Sequence, residues 1–282
     1  MNRNQTTADH ATHLFLDGSR KSCLVMLEGK ALRIWQEDRN PFLHPLRRLD
    51  RITSTGNVWW QSAALSTIAQ NGTPLGILDG EGRLKAMLMP YNLRRSSFSD
   101  ELNRFIKNQD WQSRLEDWRI NRISLIAARL KLDNPLLQAK MGWSGAEKIL
   151  MEIARMPPAG LGRAKCQRLS NHARSFAQLL ARTYLQNYGC PASWLGSGPF
   201  PKQNLTSMMS QVILWMIVEL AKKPGGERRL LEALGKMSVS SEPALRRAEQ
   251  AAAILRPAIH DQIIKLHEFL LEENSSHKYI PE

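Results

Sequence analysis

Residues 75–89, LGILDGEGRLKAMLM, place two short apolar runs on either side of the tetrapeptide Asp79-Gly80-Glu81-Gly82. Aspartate and glycine adopt the backbone conformations that a tight connection between antiparallel strands requires. The stretch therefore predicts a β-hairpin with strands at residues 75–78 and 83–89.

The residues before this hairpin continue a strand-rich pattern with one helix. Residues 62–70 carry apolar side chains at helical spacing, and Gly72-Thr73-Pro74 ends that predicted helix. Residues 49–55 alternate weakly as a strand, which Gly56-Asn57 is expected to break. Shorter apolar runs with glycine turns between them predict three more strands, at residues 13–16, 22–27 and 31–35.

The pattern changes to a helical one at residue 97, after the polar segment 90–96. We predict an α+β protein with a small β-rich N-terminal domain followed by a larger all-helical domain. The expected helices cover 97–130 (one helix or two joined), 134–156, 163–188 and 204–222, with two or three basic helices after them and Pro257 at a joint. The predicted limits are a flexible tail at 1–12, the β-rich domain at 13–92, the helical domain at 97–275 and a tail at 276–282.

The composition is that of a folded, strongly basic protein. The 282 residues are 43% hydrophobic, and 39 Lys and Arg against 26 Asp and Glu give a formal net charge of +13. Such an excess suits a polyanion, because basic side chains displace the counterions condensed on phosphates. An anionic membrane surface is the alternative, but the chain has no basic amphipathic anchor. We therefore expect a nucleic acid partner and no membrane.

Three features favour a reducing, cytoplasmic location. The three cysteines are far apart and odd in number, which fits neither a disulfide framework nor a zinc cluster. Residues 1–13 are polar and contain no apolar signal core. The most apolar run, residues 212–218 within 205–220, is too short to span a bilayer, which needs about 20 apolar residues, and is expected to be a buried helix.

The ordered set of motifs in residues 46–90 resembles the CRISPR adaptation integrase family, whose members insert new spacers into the CRISPR array. The segment LDRITSTGNV at 49–58 resembles the family's strand followed by Gly-x-Val. Residues 62–75 look like its short helix and next strand, and ILDGEGRL at 77–84 is similar to its hairpin. The resemblance implies a β domain that forms a homodimer, a helical domain, and DNA as the nucleic acid partner.

Members of that family hold a catalytic metal ion with a Glu, a His and an Asp of the helical domain. Carried onto this sequence, the Glu falls on Ser144, the His position falls in residues 194–198 at Ser197, and the Asp falls on Met208. A further acid, often present three residues later, falls on Gln211. A Mg²⁺ or Mn²⁺ ion needs carboxylate oxygens, so the resemblance implies a shared scaffold with a degenerate metal site and no catalytic residue.

An active site rebuilt from other residues is the alternative. Glu147 and Glu152 follow Ser144 on the same predicted helix, and His172 lies on the next one. We expect these side chains to be helix surface residues, and we predict no metal and no cofactor; Mg²⁺ or Mn²⁺ would be needed only under the alternative.

Arginine-rich groups are the candidate nucleic acid contacts, because the guanidinium group binds phosphate with two parallel hydrogen bonds. They occur in the segment between the domains, on the predicted long helix, after a glycine loop and in the last helices. The candidates are Arg94, Arg95, Arg119, Arg122, Arg163, Lys165, Arg168, Arg228, Arg229, Arg246 and Arg247. Trp111, Trp118 and Trp215 are expected in the core, whereas one of the adjacent Trp59 and Trp60 is expected to be exposed.

Three functional hypotheses follow. The favoured one is a catalytically inactive, DNA-binding structural or regulatory subunit of a CRISPR or related antiviral defence system, homodimeric and in contact with other defence proteins. The second is an active metal-dependent integrase or endonuclease for spacer acquisition with displaced residues. The third is a basic scaffold that binds a protein partner and no nucleic acid.

Overall fold

The computed structural model describes residues 12–37, 39–88, 97–156, 160–190, 192–195, 205–222 and 242–276. The chain divides into two compact units, one of residues 1–80 and 84–91, the other of residues 81–83 and 92–282. The first contains a mixed β-sheet and the second is helical, which confirms the predicted fold class.

The β-rich unit has six strands and one helix. Helix α1 is Ser62–Gln70. The strands are β1 Thr12–Glu28, β2 Ala31–Gln36, β3 Phe42–Pro45, β4 Leu49–Trp60, β5 Leu75–Leu78 and β6 Leu84–Leu88. The predicted hairpin is confirmed as the antiparallel pair β5–β6. The strand order across the sheet is β3-β2-β1-β4-β5-β6, with β1–β4 and β4–β5 parallel and the other pairs antiparallel.

Strand β1 corrects the prediction of two strands separated by a turn. Asp17 does form a local turn contact, since its Oδ1 accepts a hydrogen bond from Ser19 N at 2.9 Å. The chain nevertheless continues as one strand, because Gly18 pairs with Gly56 and Cys23 pairs with Val58 of β4. Between these two pairs β1 advances by five residues and β4 by two. The three extra residues of β1 form a bulge.

The predicted break at Gly56 is also wrong, because β4 runs through it to Trp60. Gly56 has φ +70°, and a Cβ there would lie 2.3 Å from Ser19 N. A Cβ on Gly18 would lie 2.4 Å from Asn57 O. Two facing glycines thus let the two backbones approach closely enough for the bulged strand to stay paired.

The core of this unit lies on one face of the sheet, under α1. Val25, Leu32, Ile52, Ile68 and Leu75 are fully buried there. Successive side chains of a strand point to opposite faces of the sheet, so an odd number of extra residues changes which positions face the core. The core residues of β1 are therefore even-numbered before the bulge and odd-numbered after it.

The helical unit contains eight described helices. They are α2 Ser97–Phe105, α3 Trp111–Arg129, α4 Pro135–Met141, α5 Trp143–Arg155, α6 Arg163–Asn187, α7 Ala192–Leu195, α8 Leu205–Lys222 and α9 Glu242–Ser276. Trp111, Trp118 and Trp215 are buried, as predicted. Pro257 lies inside α9 and does not mark a joint. The buried Leu255, Ile259, Ile263, Leu266 and Leu270 form a continuous apolar stripe past the proline, and their packing holds the helix together.

Helix α8 is the only described helix that is long and apolar enough to cross a membrane. Of its residues, 72% are buried inside the protein, as is typical of a core helix. The predicted buried helix is therefore confirmed. Ile213, Leu214 and Trp215 at its centre are fully buried.

Candidate functional site

The start of α5 is fixed against the middle of α8. Trp215 Nε1 donates a hydrogen bond to Gly142 O at 3.1 Å. A Cβ on Gly145 would lie 3.0 Å from Trp215 Cζ2, so this contact requires a glycine or a shift of the indole. The structure therefore brings the region of Ser144 together with the part of α8 that contains Gln211.

A buried arginine lies at this junction. Arg119 Nη1 donates to Gln211 Oε1 at 2.9 Å and to Ala139 O at 3.1 Å. Its Nε donates to Glu116 Oε2 at 2.8 Å, and its Nη2 contacts the other oxygen of the same carboxylate. Gly142 has φ +55°, and a Cβ there would lie 2.2 Å from Gln211 Oε1. The glycine therefore leaves the space in which the amide and the guanidinium meet.

Neither described position of the expected metal site carries an acid. Ser144 is exposed, and its Oγ donates to Met141 O at 2.9 Å. Met208 is 6% exposed, and its thioether is a poor ligand for a hard cation. Ser197 lies outside the described residues. Among the residues that the structure describes, no three His, Cys, Asp or Glu side chains are grouped to hold a metal ion.

The three alternative acid–base residues, Glu147, Glu152 and His172, lie in different environments. Glu147 Oε1 accepts a hydrogen bond from Arg174 Nη1 at 3.4 Å. Glu152 is exposed on α5. The expectation of a surface position is wrong for His172, which is buried on α6 because its ring packs against Gly82, where a Cβ would lie 2.5 Å from the ring.

The predicted nucleic acid contacts fall into three groups. Arg163, Lys165 and Arg168 are exposed in the first two turns of α6. Arg119 is 4% exposed with its donors engaged inside the unit, so burial removes it from the set of phosphate contacts. Arg122 is half-buried and its Nε donates to Gln262 Oε1 at 3.0 Å; burial lowers its pKa, although Asp261 opposes that shift. The remaining candidates, Arg94, Arg95, Arg228, Arg229 and the side chains of Arg246 and Arg247, lie outside the described residues.

Comparison with known proteins agrees with this architecture. The family model of CRISPR associated protein Cas1 matches residues 19–114. A CAS1 protein from Thermotoga maritima superposes with a TM-score of 0.65 at 12% identity, covering 92% of this chain and 97% of that one. Residues 19–114 therefore match the Cas1 family in sequence, and the chain as a whole has the Cas1 fold.

Two further Cas1-like structures share the fold. TtCas1 has a TM-score of 0.59 at 16% identity, covering 92% of this chain and 98% of its own. A casposase bound to its integration product has a TM-score of 0.59 at 12% identity, covering 93% of this chain and 91% of its own. At these identities the likeness establishes the Cas1 fold alone. None of the curated proteins matches the chain in sequence.

Sequence reasoning missed two features of this Cas1 fold. It placed Arg119 at a nucleic acid surface, because nothing local indicates a partner 92 residues away at Gln211. It also missed the stack of Arg174 over Trp143, in which Cζ lies 4.4 Å from the ring centroid. The glycine loop before Arg163, Lys165 and Arg168 was visible in the sequence and did indicate the basic group at the start of α6, which is exposed.

Proposed function

We propose that this Cas1-family protein binds DNA as a structural or regulatory subunit of a CRISPR or related antiviral defence system and does not itself catalyse integration. The observation that carries the proposal is the buried Arg119 guanidinium, bound to Gln211 beside the start of α5. A guanidinium is always charged, so it repels a divalent cation at the place where the family's acids would attract one.

The donor chemistry around Arg119 supports the same conclusion. A magnesium or manganese site needs several carboxylate or similar oxygen ligands to replace the water that it loses. Here the oxygen of Gln211 accepts from Arg119, and Ser144 offers only a neutral hydroxyl, whose hydrogen is donated to Met141 O. Without a metal, a strand transfer would lack the charge that stabilises its attacking and leaving oxygens in this family.

The exposed basic residues supply the DNA-binding part of the proposal. Arg163, Lys165 and Arg168 are all exposed on one short stretch at the N-terminal end of α6, a 25-residue helix. Phosphate oxygens near a helix start also meet free backbone N–H groups and the positive end of the helix dipole. One of the solved relatives, TtCas1, is known in a DNA complex, with a TM-score of 0.55 at 16% identity.

A homodimer through the β-rich unit is the third part of the proposal. On the sheet face opposite the core, the cross-strand pairing sets Trp35, Leu24 and Trp59 side by side on three adjacent strands. Trp59 is 67% exposed and Trp35 is 44% exposed, whereas Trp60 packs against the core. An exposed apolar row of this kind is typical of an association surface, and a second copy of the chain would cover it.

The experiment that tests the proposal is a gel assay with branched, forked and single-stranded DNA in Mg²⁺, in Mn²⁺ and in EDTA. We expect bound DNA in all three and no joined or nicked product. Metal-dependent products that disappear in Glu147→Ala or Glu152→Ala would establish a rebuilt active site. Absence of DNA binding at low salt would favour the protein scaffold.

A matched pair of triple variants tests the binding surface. Replacing Arg163, Lys165 and Arg168 by Gln should reduce the slope of log K against log salt on duplex DNA by about 2.7, since each phosphate contact contributes about 0.9. The control replaces Lys30, Arg39 and Arg47, which are exposed in the β-rich unit, and changes the net charge equally. Equal loss in both variants would assign the effect to net charge and not to α6.

A further inference from the structure

Helix α4 exposes a group of large apolar side chains. Leu136 and Leu137 are each 52% exposed, and Met141 is exposed one turn further along the same helix. Ala139 faces the interior and is fully buried, so the three larger side chains lie on the outer side of the helix. Adjacent apolar side chains that stay in water are typical of a contact surface, because each is stabilised when a partner covers it.

The border of this apolar group is basic. Lys131 before α4, Lys140 on α4 and Lys148 on the following helix α5 are exposed, against one exposed acid, Asp133. None of the three lysines is in an ion pair with another residue that the structure describes. We call these lysines and the three apolar side chains the α4 surface. Its positive charge is therefore available to a partner.

Lys131 lies at a position where glycine is the more stable residue. Its φ is +52°. Its N–H donates to Ala128 O at 2.9 Å, and the N–H of Leu132 donates to Ala127 O at 3.1 Å, which is the Schellman pattern at the end of α3. Glycine is usual there because a side chain strains the left-handed backbone. The chain keeps a lysine at this border although it destabilises the fold, which indicates a use for its charge.

The C-terminal part of α9 combines exposed apolar residues with the opposite charge. Ile264 and Leu271 are exposed, and Glu268 and Glu272 are exposed beside them. In chain order the four are four, three and one residues apart, which places them on one side of the helix. Neither carboxylate is in an ion pair within the described part of the chain. We call these four residues the α9 surface.

We propose that the α4 surface of one copy of this chain binds the α9 surface of a second copy. Both surfaces combine apolar side chains with unpaired charges, and the charges are of opposite sign. Complementary charges orient the two partners, and the apolar side chains leave water when they meet. Two α4 surfaces do not pair with each other in this way, because both are basic.

The contact joins two different surfaces, so each bound copy still presents one free surface of each kind. Such a head-to-tail contact builds an open chain of copies unless its rotation closes a ring. It uses none of the residues of the dimer proposed through the β-rich unit and does not depend on DNA binding.

The test is sedimentation velocity on the full chain at low salt over a range of protein concentrations. The Trp59→Gln background is used, so that the proposed dimer contact does not contribute. We expect a mass that keeps rising with concentration beyond that of a dimer. The double variants Lys131→Glu/Lys140→Glu and Glu268→Lys/Glu272→Lys should each raise the dissociation constant at least about tenfold, because like charges then face each other.

A mixture of the two double variants is the sharpest measurement. Each variant alone has an α4 surface and an α9 surface of the same sign. In the mixture every α4 surface meets an α9 surface of the opposite charge on the other variant. Association should therefore return to within about threefold of the unreversed protein. A mixture that stays dissociated would overturn the pairing of these two surfaces.

Melting temperatures separate a contact surface from residues that stabilise the fold. Lys131→Gly should raise the melting temperature by about 2 °C, because it relieves the strained backbone, and should weaken association about threefold. Leu137→Gln should weaken association about tenfold at an unchanged melting temperature. The controls are Leu125→Gln, at a similarly exposed leucine of α3, and Lys30→Glu/Arg47→Glu in the β-rich unit, which should each leave association within about twofold.

Two further results would overturn the proposal. A protein that stays monomeric at every concentration in the Trp59→Gln background would show that no second copy covers the α4 surface. Loss of association in the lysine variant with an unchanged glutamate variant would show that the partner surface is not on α9. Neither result bears on the proposed function, which the DNA gel assay tests separately.

Discussion

The β-rich unit and the helical unit retain the Cas1 pattern to different degrees. The family model covers residues 19–114, which includes nearly all of the sheet and stops inside α3. The helical unit shares the fold of solved Cas1 structures, whereas the sequence resemblance predicts Ser144 and Met208 at the positions of the family's acids. A fold depends on the spacing of apolar positions, and many different residues can fill those positions. A metal site depends on a few carboxylates, so a few substitutions are enough to remove it.

The most damaging single change should be in the β-rich unit, at the facing glycines. Gly56→Ala combines a positive φ with a backbone atom 2.3 Å from the new Cβ, so we expect a loss of about 4 kcal/mol in the free energy of unfolding. Gly29→Ala is the control, since Gly29 also has a positive φ (+59°) but no atom within 4 Å. It should cost about 1 kcal/mol. Similar losses in urea titrations of the two variants would contradict the close approach of β1 and β4.

The helical unit should be most sensitive at Arg119. Arg119→Ala leaves Gln211 and Glu116 without their partner, and we expect a loss of about 3 kcal/mol in the free energy of unfolding. Arg129→Ala is the matched control, because its ion pair with Glu219 joins two helices at an exposed position and should contribute below about 1 kcal/mol. Equal effects in chemical denaturation would mean that Arg119 is not a structural cation.

Mild acid should act on the β-rich unit through His13. Burial, with a further contribution from Arg51, holds the pKa of His13 well below its ordinary value. Its Nε2 lies 2.8 Å from Thr53 Oγ1. The folded state therefore binds the proton more weakly than the unfolded state, so the stability from the neutral ring is complete above pH 6.5 and is lost as the pH falls.

At pH 5.5 the loss from His13 should be about 1.4 kcal/mol relative to pH 8. His13→Gln should remove that part of the pH dependence, which urea titrations at the two pH values would measure. His44 also has a pKa lowered by burial, and its contribution should survive the substitution. An unchanged difference between the two pH values in His13→Gln would exclude His13 as the titrating group.

The smallest change in stability should come from the exposed row of the sheet. Trp59→Gln should alter the free energy of unfolding of the monomer by less than about 0.5 kcal/mol, because most of the indole is in water. Sedimentation equilibrium should nevertheless show weaker self-association than for the wild type. A variant that associates as strongly as the wild type would place the proposed dimer contact elsewhere.

The sequence predicted those features that depend on neighbouring residues. The hairpin at residues 75–88, the helix at 62–70 and the buried α8 all follow from short-range periodicity and turn chemistry. The bulge in β1 could not be predicted, because the Asp17 turn signal is genuine and only pairing with β4 shows that the strand continues.

The candidate site was less predictable than the fold. The glycine loop and the helix start indicated a basic group at Arg163, Lys165 and Arg168, and all three side chains are exposed. The role of Arg119 depends on Ala139, Gly142 and Gln211, which are brought together only when α3, α4 and α8 pack. A charged side chain looks the same in a sequence whether its partner is a phosphate or an amide.

The buried Arg119 also bears on how this protein could change over evolutionary time. Under the proposed function, an acid that arose at position 211 would first form an ion pair with Arg119 and would gain no affinity for a metal ion. Removing Arg119 first would leave Glu116 and Gln211 unpaired and would weaken the fold. Both of these single steps towards a metal site are therefore neutral or harmful, so Arg119 would slow the appearance of such a site.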